Sequence, residues 1–107
     1  MFAPMYIVDA FTTRRFGGNP AAVVLFDSYP DDCLLQAIAG ENNLAETAYP
    51  VRRDDGNWDL RWFTPKVEVD LCGHATLASA HIIWHEGEVR ADEIIRFHTR
   101  SGVLQAA

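Results

Sequence analysis

Cysteine is scarce in this chain. Only Cys33 and Cys72 occur among its 107 residues, and they form no C-x-x-C pair. A secreted disulfide scaffold of this size would carry more. Basic clusters are missing too: nine Lys and Arg stand against fifteen Asp and Glu, for a net charge of −6. Arg14-Arg15 and Arg52-Arg53 are isolated pairs in expected turns. Nucleic acid is therefore not expected as a partner, because neutralising phosphates requires a basic footprint. No apolar run approaches the roughly 20 residues that span a bilayer. Nor does a basic segment followed by an apolar core open the chain, so neither a membrane partner nor a signal peptide is expected. A cytoplasmic location is the resulting expectation. The sequence also lacks a serine elbow, a Walker lysine and an H-E-x-x-H motif. Gly17-Gly18-Asn19-Pro20 sits between two strand-like runs and opens no helix, so it is not a dinucleotide fingerprint. There is no internal repeat and no low-complexity tract.

What is present suits a globular protein: 49% hydrophobic and 22% charged residues, in a length that predicts one domain, 1–107, with a modest core. Tyr6 to Phe11 is rich in strand formers, and Ala21 to Phe26 is a short apolar run. With the glycine-rich loop between them they predict a hairpin. Ser28 to Asn42 reads as a helix, with Pro30 early, Asp31-Asp32 at the positive end and Leu34, Leu35, Ile38 and Ala39 on one face. Cys33 is expected at the core or edge of that helix, and Asn42-Asn43 as its stop. Glu46 to Arg52 reads as a strand, at an edge or bent because of Pro50. Asp54-Asp55-Gly56-Asn57 is a hairpin turn. It leads to Trp58–Thr64, which puts Trp58, Leu60 and Trp62 on one face, and Pro65 ends that strand. A second helix is predicted from His74 to Glu86, closed by Gly87. Glu93 to Thr99 forms a further strand, and Val103-Leu104 begins another that stops at once. This order predicts an α+β fold with a curved, mostly antiparallel sheet wrapped around a central helix, since the second helix is apolar on nearly every side.

The most informative stretch is Asp70-Leu71-Cys72-Gly73-His74-Ala75-Thr76. It joins a glycine turn to a helix start, where unpaired N–H groups and the positive end of the dipole can seat a carboxylate or phosphate. His74 could hold the substrate or act as an acid/base, or it could simply cap the helix. Cys72 could be a thiolate activated by the helix end, or a buried inert thiol. Glu46, at a helix-to-strand junction, could move a proton if shielded from water, or be a solvated surface residue. Asn19 could orient a substrate or serve its turn alone. His74, Ala78, His81 and His85 fall on one helical stripe, and His81 and His85 have the spacing of a shared zinc. No convincing third ligand accompanies them, so no metal site is expected in this chain. His98 receives no role.

Taken together, V-D-A-F-T, G-G-N-P-A-A-V-V, N-L-A-E-T-A, R-W-F-T-P and V-D-L-C-G-H-A-T-L-A-S-A resemble the phenazine-biosynthesis-like (PhzF-like) family, in family order over nearly the whole chain. The resemblance implies kinship in fold with diaminopimelate epimerase and proline racemase, whose two similar halves each curve a sheet around a helix. It also implies a cofactor-independent isomerase that moves a proton on a small carboxylate-bearing metabolite. In that pattern Glu46 matches the general acid/base, and Gly73 and His74 match the turn that receives the substrate carboxylate. Asn19 matches the loop lining the pocket. Cys72 keeps the thiol of the epimerase turn as a secondary candidate. Family members are more than twice this long, so the chain corresponds to their N-terminal half. The other wall of the pocket is then expected from a second half-domain or from self-association. The alternative expectation is a truncated, non-catalytic half that binds a metabolite or associates with itself.

Overall fold

Strict alternation of side chains across the pleat makes the central strands two-faced. The computed structural model describes residues 3–10 and 19–107. The predicted loop of residues 12–18 lies outside the described residues, and so does the side chain of Asn19. The elements in order are β1 (Met5–Ala10), β2 (Asn19–Val24), α1 (Asp32–Asn42), β3 (Glu46–Arg52), β4 (Trp58–Phe63), β5 (Glu68–Val69), α2 (Gly73–His85), β6 (Ile95–Thr99) and β7 (Gly102–Ala106). They form one mixed sheet in the order β1-β2-β3-β4-β6-β7, with β5 beside β4. The fold is α+β. β1–β2, β3–β4, β4–β5 and β6–β7 pair antiparallel, whereas β2–β3 and β4–β6 pair parallel across the helical connections.

Each face of the sheet carries one helix. Ala21, Val23, Ala48, Trp58, Leu60 and Trp62 pack with Ala75, Ala78, Ile82 and Ile83 of α2. On the opposite face Val24, Phe26, Tyr49, Val51 and Phe63 enclose Leu35 and Ala39 of α1. Small residues dominate the first turns of α2, which lets it cross β1, β2 and β3 closely. Its buried hydroxyls are satisfied within the helix: Thr76 donates to the Cys72 carbonyl at 2.7 Å and Ser79 to that of Ala75 at 2.8 Å. No helix among the described residues is long and apolar enough to cross a membrane.

Several expectations are corrected. β3 is an interior strand despite Pro50. Its parallel ladder with β2 ends at Ala48, so no β2 residue stands opposite Pro50, and the buried proline leaves that ladder intact. Helix α1 begins at Asp32, not Ser28, with Asp31 as N-cap. Cys33 and Leu34 are exposed, because only Leu35 and Ala39 of that helix are buried. Asn43 does end the helix, in a left-handed conformation with φ 51°. Helix α2 is not buried on all sides: Gly73, Leu77, His81 and His85 form an exposed row at steps of four. β7 is a complete partner of β6, in register from Ile95↔Ala106 to Thr99↔Gly102.

Candidate active site

Two chain reversals bring the chemistry together. The left-handed Asn43 turns the chain from α1 into β3, and the Asn42 amide donates to the Thr47 hydroxyl at 3.2 Å. That contact anchors the strand beside its first residue, Glu46. Alternation places Glu46 on the same face as Ala48, the face that carries α2. Glu46 lies in register with Ala21 of β2, two residues after Asn19, so the start of β2 runs alongside the site.

The second reversal is the approach to α2. Cys72 is its N-cap, in an extended conformation with φ −150°, and the first backbone bond of the helix runs from Thr76 N–H to the Cys72 carbonyl at 3.1 Å. The N–H groups of Gly73, His74 and Ala75 therefore precede the helical ladder. No acidic residue of α2 lies in its first turn, so the helix itself supplies nothing to offset its positive end. Gly73 is an ordinary first helical residue rather than a left-handed turn, and a Cβ there would meet nothing within 4 Å among the described residues. What its lack of a side chain provides is open space at the helix start.

Glu46 and His74 meet at this end. His74 Nε2 lies 2.7 Å from Glu46 Oε2, with the side chains 25% and 19% exposed. Both are shielded yet reachable. The other ring nitrogen, Nδ1, lies 3.8 Å from Cys72 Sγ. One donor atom from each of the three residues lies within 4.8 Å of the other two. Burial pushes the Cys72 thiol above its ordinary value, the Ala75 N–H offsets part of this, and the Glu46 carboxylate adds to the rise. The thiol is thus held protonated at neutral pH and is a poor nucleophile.

Of the predicted residues, Glu46, Cys72, Gly73 and His74 converge, and Asn19 contributes its backbone position. The histidine stripe does not hold together. Ala78 is buried against the sheet, while His81 and His85 are exposed with their rings stacked 6.1 Å apart. His98 faces Asn57 at 3.2 Å. Sequence reasoning missed the clasp behind the site. Arg100 reaches Glu68 at 2.8 Å and Asp70 at 3.4 Å, and the Ser101 hydroxyl donates to the Asp70 carbonyl at 2.7 Å. Arg61 completes it, bonding Glu68 through Nε at 2.8 Å and Asp32 through a terminal nitrogen at 3.0 Å. The available signal was Glu68, whose partly buried carboxylate needs a basic partner, followed by the exposed Asp70 before the helix.

A mixed sheet with a helix on each face, and a carboxylate–imidazole pair at the start of one of them, make this an α+β domain with a candidate acid/base site. A structure described as a predicted epimerase of Pseudomonas aeruginosa superposes with TM-score 0.83 at 26% identity, over 94% of this chain and 36% of that one. The crystal structure of a PhzC/PhzF phenazine-biosynthesis protein of Clostridium difficile matches at TM-score 0.87 and 51% identity, over 97% of this chain and 39% of that one. The family model PhzC-PhzF, phenazine biosynthesis-like protein, matches residues 8–107, and the chain belongs to that family. An uncharacterized isomerase of Halalkalibacterium halodurans is 53% identical over 107 residues, covering all of this chain and 40% of its own length. The human phenazine biosynthesis-like domain-containing protein is 46% identical, covering 99% of this chain and 39% of its own length. The chain therefore spans about two fifths of these relatives and corresponds to their N-terminal part.

Proposed function

We propose that this chain carries one wall of the active site of a cofactor-independent isomerase that relocates a proton on a small carboxylate-bearing metabolite. The observation behind this reading is the 2.7 Å contact between Glu46 and His74 at the N-terminus of α2. Glu46 acts as the general acid/base, taking a proton from one carbon and returning it to another. A partly shielded carboxylate is suited to this, because water no longer stabilises its charge fully. His74 orients that carboxylate and, with the N–H groups around Gly73 that precede the helical ladder, receives the substrate carboxylate. Asn19 lines the pocket from β2. Cys72 stands by in protonated form as a secondary group. The similarity to proteins named as isomerases supports the reaction class.

In this reading the sheet curves around α2 as a central helix. The pocket is closed by a second half-domain or by a second copy of this chain, and the protein works in the cytoplasm. The exposed Leu71 and Leu77, at 59% and 46%, flank the site and suit a covered rim. The test is solvent deuterium wash-in, followed by NMR across a panel of small carboxylic acids. Exchange at a substrate carbon is expected, and Glu46→Gln should abolish it while leaving binding. Exchange that survives the substitution removes Glu46 from the mechanism. The exposed Leu71 and Leu77 also suit a second reading, a non-catalytic half that only binds or self-associates. Binding with no exchange in the wild type would establish it.

A further inference from the structure

We propose that Glu46, Cys72 and His74 form a capture site for a thiophilic divalent cation such as zinc, which silences the carboxylate–imidazole pair while it is bound. The three residues offer the donor types zinc prefers, a sulfur, an imidazole nitrogen and a carboxylate oxygen. One such atom from each already lies within 4.8 Å of the other two. In a tetrahedral site with zinc–nitrogen and zinc–oxygen bonds of about 2.0–2.2 Å, neighbouring donors stand roughly 3.3–3.5 Å apart. His74 meets Glu46 through Nε2 and Cys72 through Nδ1, and one ion takes one ring nitrogen, so the 2.7 Å contact must open by less than about 1 Å while the imidazole and the Cys72 sulfur rotate until a single nitrogen faces both other donors. The site is also accessible, since the Glu46 and His74 side chains keep a fifth to a quarter of their surface. A hydrated ion enters from that side and retains water as its fourth ligand.

The chemistry balances without a redox change. Cys72 releases its thiol proton to solvent and binds as thiolate, while Glu46 and neutral His74 each donate a lone pair. Two anionic ligands neutralise the dication, which offsets its position beside the positive end of α2. The lone pairs it occupies are those that would carry a proton, so the ion acts as an inhibitor and not as a cofactor. His81 and His85 offer only two donors on an exposed face and compete weakly.

Cobalt(II) titration of the chain as it stands, in the absence of other thiols, reads this directly. One equivalent should produce a thiolate-to-cobalt charge-transfer band with strong visible bands of tetrahedral cobalt, and zinc should displace it. Cys72→Ser should remove the band and Cys33→Ser should keep it. Glu46→Gln and His74→Asn retain the thiol and should each weaken binding at least tenfold, which keeps the test valid if the Cys72 variant misfolds. Absence of the band in the wild type, its survival in Cys72→Ser, or unchanged affinity in both ligand variants would overturn the site. The readout needs no turnover, so its failure leaves the isomerase reading untouched, and the converse also holds.

Discussion

Replacing Gly73 with alanine separates what the glycine does for the fold from what it does for a ligand. In the folded chain Gly73 has no left-handed backbone, and a Cβ would meet nothing within 4 Å among the described residues. The methyl group therefore adds no strain. It restricts the unfolded chain, which at a compatible site stabilises by about 0.4–1 kcal/mol. For a domain near this size, 1 kcal/mol moves the melting temperature by roughly 4–8 °C, so Gly73→Ala should melt about 2–8 °C higher by circular dichroism. The same methyl fills the space beside the N–H groups that precede the helical ladder. Titration with acetate or inorganic phosphate, followed by the His74 and Ala75 amide resonances, should show at least tenfold weaker binding, a loss of about 1.4 kcal/mol. Greater stability together with weaker anion binding is the expected signature. A lower melting temperature would make Gly73 a structural requirement, and unchanged anion affinity would place the seat elsewhere.

Other consequences follow from the packing and the thiols. The Cys72 thiol is raised by burial and by Glu46 from its ordinary value of 9.0, so the unfolded chain loses this proton before the folded one. Stability from this group is complete below pH 9 and declines as pH rises above it. Cys72→Ala should flatten the alkaline arm of a stability–pH curve from pH 9 upward, leaving the decline that the raised tyrosines Tyr6, Tyr29 and Tyr49 add as pH approaches and passes 10. A curve unchanged by the substitution would contradict the assignment. With a thiol-reactive dye, the exposed Cys33 should label at once and the buried, protonated Cys72 far more slowly. Equal rates would place Cys72 at the surface. Trp62 is 1% exposed in the core beneath α2, and Trp62→Ala should cost about 3–5 kcal/mol, a large share of the 5–15 kcal/mol typical of a domain. A denaturant midpoint close to wild type would show that this core is not shared with α2.

Local chemistry was legible from the residues alone. Asp55-Gly56 announced the β3–β4 hairpin, Asn43 the end of α1, and the spacing of Trp58, Leu60 and Trp62 the face that meets α2. Pairing between distant segments was not. The parallel ladders β2–β3 and β4–β6 are made across helical connections, and no short-range pattern encodes which strand is met on return. Pro50 misled because a proline's cost depends on whether a neighbour stands on its N–H side, which is a property of the sheet. The apolar surface of α2 suggested burial all round, yet its Gly73–Leu77–His81–His85 row faces outward. At the site, each residue type was recognisable, but the 28 positions between Glu46 and His74 hid the contact that makes them a unit.

The clasp on Asp70 bears on the order in which the site is assembled. Arg100 and Ser101 follow Asp70 in the chain by 30 and 31 positions. At a synthesis rate of about 5–20 residues per second, roughly 2–6 s pass between the emergence of the helix entrance and that of the residues that brace it. During this interval Glu46, Cys72 and His74 are all present, but the segment leading into α2 lacks its tether to the β6–β7 turn. The nascent chain thus carries Glu46, Cys72 and His74 before the segment around Asp70 is braced, and it is the β6–β7 turn that supplies the brace.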